Sequence, residues 1–174
     1  MHRRIVSLPQ IRVTPATSAA DWQAAREVLS ELFDWLDRKF HFDAISMQDG
    51  AEDEATDPAA FYSFPRGMFL LGRVDGEVAG ALAIRFLPDG ETVELKRAWV
   101  RAAYRGTGIT ESLLARSLDA SRALGASRVV LETDPRVMPR AVSICRRYGF
   151  REGQAYSSLS QRIPTLLTME KRVA

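Results

Sequence analysis

The stretch Glu94-Leu-Lys-Arg-Ala-Trp-Val100-Arg-Ala-Ala-Tyr-Arg105-Gly-Thr-Gly108-Ile-Thr110 sets the order of everything around it. Its first half continues a strand signal that begins at Thr92 and ends at Val100. Its second half is a glycine-containing turn, after which Ile109, Leu113, Leu114 and Leu118 recur on one helical face. Gly125, just past Leu124, is a suitable helix stop. A strand therefore runs through a tight turn into a helix. The first amides of a helix have no partner inside it, and the helix dipole adds partial positive charge there. Gly106 and Gly108 remove the side chains that would keep a phosphate off the backbone. Successive amides in such a turn make a concave anion nest, and Arg105 adds a cation. Together these residues predict a pyrophosphate site.

Working outward, three strand signals precede the turn. Met68–Val74 is followed by Asp75-Gly76, Val78–Phe86 by Pro88-Asp89-Gly90, and Thr92–Val100 is the third. Connections this short require an antiparallel meander. Earlier still, Ile11 to Ala16 alternates as a strand, and Ser18 with Asp21 forms a capping box. Trp22, Ala25, Leu29, Leu32, Phe33, Leu36 and Phe40 then mark an amphipathic helix or a linked helix pair. From Asp43 to Asp57 there are six acids and no base, which reads as a loop or short helix. That run is either a solvated loop or an acidic rim facing a cationic acceptor. Downstream, Arg128–Glu132 is a short buried strand, parallel to its predecessor because a helix separates them. Pro139 opens a helix that ends at Gly149, and Phe150 onward and Thr165–Val173 supply the last two strands. The order is β-α-β-β-β-α-β-α-β-β. This is an α/β (α+β) fold with a mixed, mostly antiparallel central sheet and helices on both faces.

Composition bounds the rest. The chain has 174 residues, suited to one domain over 1–174, with 1–9 expected as a flexible N-terminal extension. A net charge of +2 gives no reason to expect nucleic acid. No apolar run approaches the roughly 20 residues of a membrane span. Met1 to Ile11 lacks the apolar stretch of a secretory signal, so a cytoplasmic protein is expected. One cysteine and two histidines make a poor metal cluster, and none is expected. The glycine turn also fails two other phosphate motifs. It has no Gly-Lys-Ser/Thr for a P-loop, and Glu111 stands where a dinucleotide fingerprint needs its third glycine.

On these residues the chain resembles the GNAT superfamily of N-acetyltransferases. The family's Arg/Gln-x-x-Gly-x-Gly/Ala motif is filled by Arg105-Gly106-Thr107-Gly108-Ile109-Thr110, with Thr110 in the last, usually small, position. The segment Glu94–Val100 looks like the family's fourth strand, and Ala141–Phe150 like its last helix and Gly-Phe strand entry. The resemblance implies acetyl-CoA as co-substrate, its pyrophosphate on the amides of Arg105, Gly106, Thr107, Gly108, Ile109 and Thr110. It places the pantetheine arm against Ala98, Trp99 and Val100, where the fourth and fifth strands splay. An amide near Trp99 or Val100 would then serve as oxyanion donor.

The implied reaction needs a neutral amine, so a base is required. Glu94 is the candidate, acting through a water; its other reading is a strand carboxylate paired to a cation. Where many members carry an acid tyrosine, this chain has Cys145. A neutral thiol can donate a proton, and a buried cysteine equally packs as a small hydrophobe. The function expected is transfer of acetyl from acetyl-CoA to a primary amine, on a small molecule or peptide. The rival is an acyl-CoA-binding regulatory module with little catalysis, favoured by the missing tyrosine. The acceptor is expected between Trp22–Phe64 and Gly153–Pro164. A homodimer stays open.

Overall fold

The computed structural model describes residues 8–40 and 50–174. Seven strands form one sheet in the order β1-β2-β3-β4-β5-β7-β6. Strand β1 (Ile11–Pro15) lies at one edge, beside β2 (Gly67–Val74). The meander continues through β3 (Glu77–Phe86) and β4 (Thr92–Val100), all antiparallel. Strand β5 (Arg128–Thr133) is parallel to β4, as a helical crossover allows. Strand β7 (Leu167–Arg172) pairs antiparallel with β5, and the two-residue β6 (Arg151–Glu152) closes the far edge. The expected mostly antiparallel sheet is present.

Helix α1 (Ala19–Phe40) is one continuous helix rather than a pair. It begins with the expected box: Ser18 Oγ accepts from the Asp21 amide at 3.1 Å, and Asp21 accepts from the Ser18 amide at 3.1 Å. The backbone and hydroxyl donors of Ser18, then the Thr17 amide, hold the Asp21 carboxyl down to about 2. Two short helices follow, α2 (Ala51–Thr56) and α3 (Pro58–Tyr62). The first part of the acidic run, residues 43–49, lies outside the described residues, as do residues 1–7 of the expected N-terminal extension.

Helices cover both faces of the sheet, each with its own core. On one face Leu70, Ile84, Val93 and Val129 pack against α4 (Ile109–Ala123) and α5 (Pro139–Arg147). On the other, Phe69, Leu71, Ala81 and Ala83 pack under α1, α2 and α3. This is the period-two alternation of a sheet buried on both sides. Gly72 faces the start of α4. A Cβ there would stand 2.7 Å from Ile109 Cδ1, so a larger residue would require the Ile109 side chain at the start of α4 to shift.

The strand expected from Phe150 onward is only two residues long. The chain leaves the sheet after Glu152 and forms α6 (Ser158–Arg162), capped by a reciprocal box between Ser157 and Ser160. Among the described residues no helix is long and apolar enough to cross a membrane.

Candidate active site

Two local departures from regular sheet shape the site. Strands β4 and β5 stay in register for only three pairs, ending at Glu94 and Val130. Beyond that, among the described residues, Leu95 to Val100 have no strand on their β5 side, and a cleft opens between the strands. Strand β4 also carries a bulge: Ala81 faces Trp99 and Ala83 faces Lys96, so Arg97 and Ala98 together oppose Leu82. Arg97 takes a positive φ of 56°, rare for a residue with a Cβ. What holds it there is its side chain. Its guanidinium lies 5.0 Å from the centre of the Phe33 ring, and its Nη2 meets Glu54 Oε2 at 2.6 Å.

The turn predicted to bind pyrophosphate stands at the end of β4. Gly106 and Gly108 have φ of 82° and 93°, the left-handed conformation that glycine adopts freely. The amides of Arg105 and Thr107 are spent inside the turn, on the carbonyls of Ala102 and Tyr104. Among the described residues, no acceptor meets the amides of Gly106, Gly108, Ile109, Thr110 and Glu111. The nest is thus five amides, with two of the expected donors closing the turn instead. Arg105 folds back on β4: its Nε donates to the Val100 carbonyl at 3.1 Å, and its guanidinium lies 5.3 Å from the Trp99 ring centre.

At the mouth of the cleft is a cavity of about 380 Å³. Glu94, Lys96 and Arg97 of β4, Arg85 of β3 and Glu132 of β5 line it, and Tyr156 to Leu159 with Arg162 form its other wall. Glu94 is buried, with Oε2 accepting from Arg85 Nε at 2.8 Å and Oε1 from the Tyr156 hydroxyl at 2.9 Å. Burial, then the charges of Glu94 and Glu132, raise the Tyr156 phenol far above its ordinary value, so it stays protonated. Ser157 Oγ lies 2.8 Å and 2.7 Å from the two Glu132 oxygens. Behind the cavity, Glu54 accepts from the Tyr62 hydroxyl at 2.7 Å and from Arg97 Nε at 2.7 Å. Burial alone would raise the Glu54 carboxyl, but Arg97 and Lys96 outweigh it and hold it below its ordinary value.

Cys145 is elsewhere. It is buried on α5 in the core that packs against α4, and burial pushes its thiol up to about 11. Tyr148 also faces that side, donating to the Glu111 carbonyl at 3.3 Å. Of the aromatic residues in the expected acceptor region Trp22–Phe64, Trp35 packs tilted against Trp99 with ring centres 5.4 Å apart, Tyr62 is buried and Phe64 is exposed. Phe42 lies outside the described residues. Of the other expected acceptor segment, Gly153–Pro164, residues Tyr156 to Leu159 and Arg162 line the cavity.

Known proteins share the sequence pattern and the fold. The Acetyltransferase (GNAT) family matches residues 25–150, most of the chain. The chain belongs to the GNAT family of acetyltransferases. It is 30% identical over 106 residues to an uncharacterized N-acetyltransferase of Schizosaccharomyces pombe, covering 60% of this chain and 64% of that protein. It is 35% identical over 103 residues to the IAA acetyltransferase of Azospirillum brasilense, covering 59% and 66%. These matches span slightly under two thirds of either relative. The PaiA N-acetyltransferase of Thermoplasma acidophilum, solved in complex with coenzyme A, superimposes with a TM-score of 0.69. That GNAT fold covers 94% of this chain and 99% of its own at 16% identity.

Proposed function

We propose that this GNAT chain moves an acetyl group from acetyl-CoA to a primary amine by direct attack in a ternary complex. One observation carries the reading: five unspent amides at the start of α4 lie beside the edge of β4 that β5 leaves open. This supports a diphosphate on the nest and a pantetheine arm laid along Ala98, Trp99 and Val100. Arg105 then trades its contact with Val100 and Trp99 for phosphate oxygens. Thr110, half-buried in the first turn of α4, adds a hydroxyl donor to the phosphate in this reading. The thioester reaches the cavity, and an amide near Trp99 or Val100 steadies the oxyanion.

Glu94 is the base in this reading. Each of its oxygens accepts one protein hydrogen bond and keeps a second lone pair for a water that relays the amine's proton. Tyr156 and Arg85 fix its orientation. The leaving thiolate, with a pKa near that of free cysteine, about 8.5, needs little protonation. Cys145 is therefore read as packing, which its place in the core supports. The acidic run gives a cationic acceptor little support here, since Glu54 is committed to Arg97 and Tyr62.

The test is thiol release from acetyl-CoA across a panel of amines. Amine-dependent release is the expected result. Tight acetyl-CoA binding with no release on any amine favours a regulatory module instead, a reading that the absent α5 tyrosine supports. In the same assay Cys145→Ala is expected to keep kcat within about threefold of the parent, as a packing residue should. A far larger fall in kcat at unchanged acetyl-CoA affinity would restore Cys145 as the acid.

A further inference from the structure

The cavity holds a lysine that the proposed reaction does not use. Lys96 lies two residues after Glu94 on β4, so the pleat sends both side chains to one face, and both line the cavity. The Lys96 side chain is only 16% exposed. An ammonium carries three donors and no acceptor. Among the described residues its Nζ makes no hydrogen bond, and its nearest carboxylate oxygen, Glu54 Oε1, is 3.7 Å away. Glu54 is already held by Arg97 and Tyr62, with Arg85 Nη1 3.4 Å from that same Oε1. A charge withdrawn this far from water is costly unless it is paired.

The neighbouring charged groups are committed to protein partners. Arg85 and Tyr156 are bound to Glu94, Arg97 is bound to Glu54, and Ser157 covers both oxygens of Glu132. What the cavity offers a ligand at Lys96 is a cationic donor set, beside the carboxylate assigned as base.

Resting on the acetyl-transfer reading, we infer that the acceptor bears a carboxylate as well as its amine, and that Lys96 takes the carboxylate while the amine turns toward Glu94. The substrate class is an amino acid or a similarly small amino carboxylate. One ammonium balances one carboxylate. A phosphate dianion calls for a second cation, and Arg85, Arg97 and Arg162 are already engaged by protein partners. Size agrees, since about 380 Å³ holds a small amino acid and a bridging water but not a folded partner. Burial, and then the charge of Arg97, lower the Lys96 ammonium below its ordinary value, and a seated carboxylate opposes both effects.

The test uses the full chain and calorimetric binding of N-acetylated glycine, β-alanine, glutamate and phenylalanine, each beside its carboxamide, with and without coenzyme A. Parent, Lys96→Met and Lys96→Arg are compared. At least one carboxylate is expected to bind the parent about tenfold or more tighter than its carboxamide, roughly the weight of one buried charge pair. Lys96→Met removes that preference and leaves carboxamide affinity unchanged; Lys96→Arg keeps part of it. With free amino acids and acetyl-CoA, the loss in Lys96→Met falls on KM rather than kcat. Three results overturn the inference: no carboxylate preference in the parent, a preference that survives Lys96→Met, or an equal fall in kcat for carboxylates and carboxamides. The third would make Lys96 part of the chemistry. The N-acetylated probes carry no thioester, so their binding is read without turnover. Failure of acetyl-CoA to bind would end the transfer reading while leaving the carboxylate comparison to be decided by itself.

Discussion

Glu94→Gln is expected to lower kcat by about 10² to 10³, the usual weight of a positioned general base, while acetyl-CoA affinity stays near that of the parent. Glutamine has the same shape and can still accept from the Tyr156 hydroxyl, so the wall between β4 and α6 stays closed. What it loses is the negative charge opposite Arg85 and the capacity to take a proton through water. The nest is built from a different segment, which is why binding and turnover should separate. Pre-steady-state thiol release together with equilibrium acetyl-CoA binding checks both halves. A variant that turns over like the parent would return Glu94 to a plain ion-pair partner of Arg85.

Gly108→Val is expected to weaken acetyl-CoA binding by about 100-fold or more, roughly the loss of two charge-assisted hydrogen bonds, and to leave the protein folded. At a φ of 93° any side chain is strained, at a cost of about 1–2 kcal/mol. Space is not the obstacle, because a Cβ there meets only Ile11 Cδ1, at an ordinary 3.6 Å. The backbone therefore either keeps its conformation with an isopropyl group over the amides or relaxes and turns those amides away. Both outcomes spoil the nest without touching either core. Circular dichroism and a melting curve within several degrees of the parent should accompany the lost affinity. Unchanged affinity would place the phosphate elsewhere.

Much of this architecture was legible in the chain. Asp75-Gly76 and Pro88-Asp89-Gly90 fixed the meander, because connections that short allow only antiparallel neighbours. The spacing of Ile109, Leu113, Leu114 and Leu118 marked the buried face of α4, and all four are buried. The turn at the end of β4 was legible because its signal is local, two glycines and a helix start within a few residues, whereas the spending of the Arg105 and Thr107 amides inside it was not.

The cavity was not, because its walls come from segments far apart in sequence. Glu54 of α2, Arg85 and Glu94 of the sheet and Tyr156 before α6 meet only in the fold, and no local pattern links them. The bulge at Arg97 is equally silent, since its positive φ is sustained by Glu54 and Phe33, more than forty residues earlier. A local signal did exist for α6: Ser157 and Ser160 stand at capping-box spacing. Read as a helix start, it would have bounded the strand begun at Phe150 and turned attention to Tyr156. Cys145 was placed in the correct helix, but its motif position alone could not tell that a side chain this short ends in the core.

The central claim is that the main-chain donors at the start of α4 hold a diphosphate. Calorimetric titration of the chain with acetyl-CoA and with acetyl-pantetheine, which lacks the nucleotide and its diphosphate, tests this directly. Acetyl-CoA should bind, and acetyl-pantetheine should bind about 100-fold or more weakly. Equal affinity for the two, or no binding of acetyl-CoA at all, would contradict it.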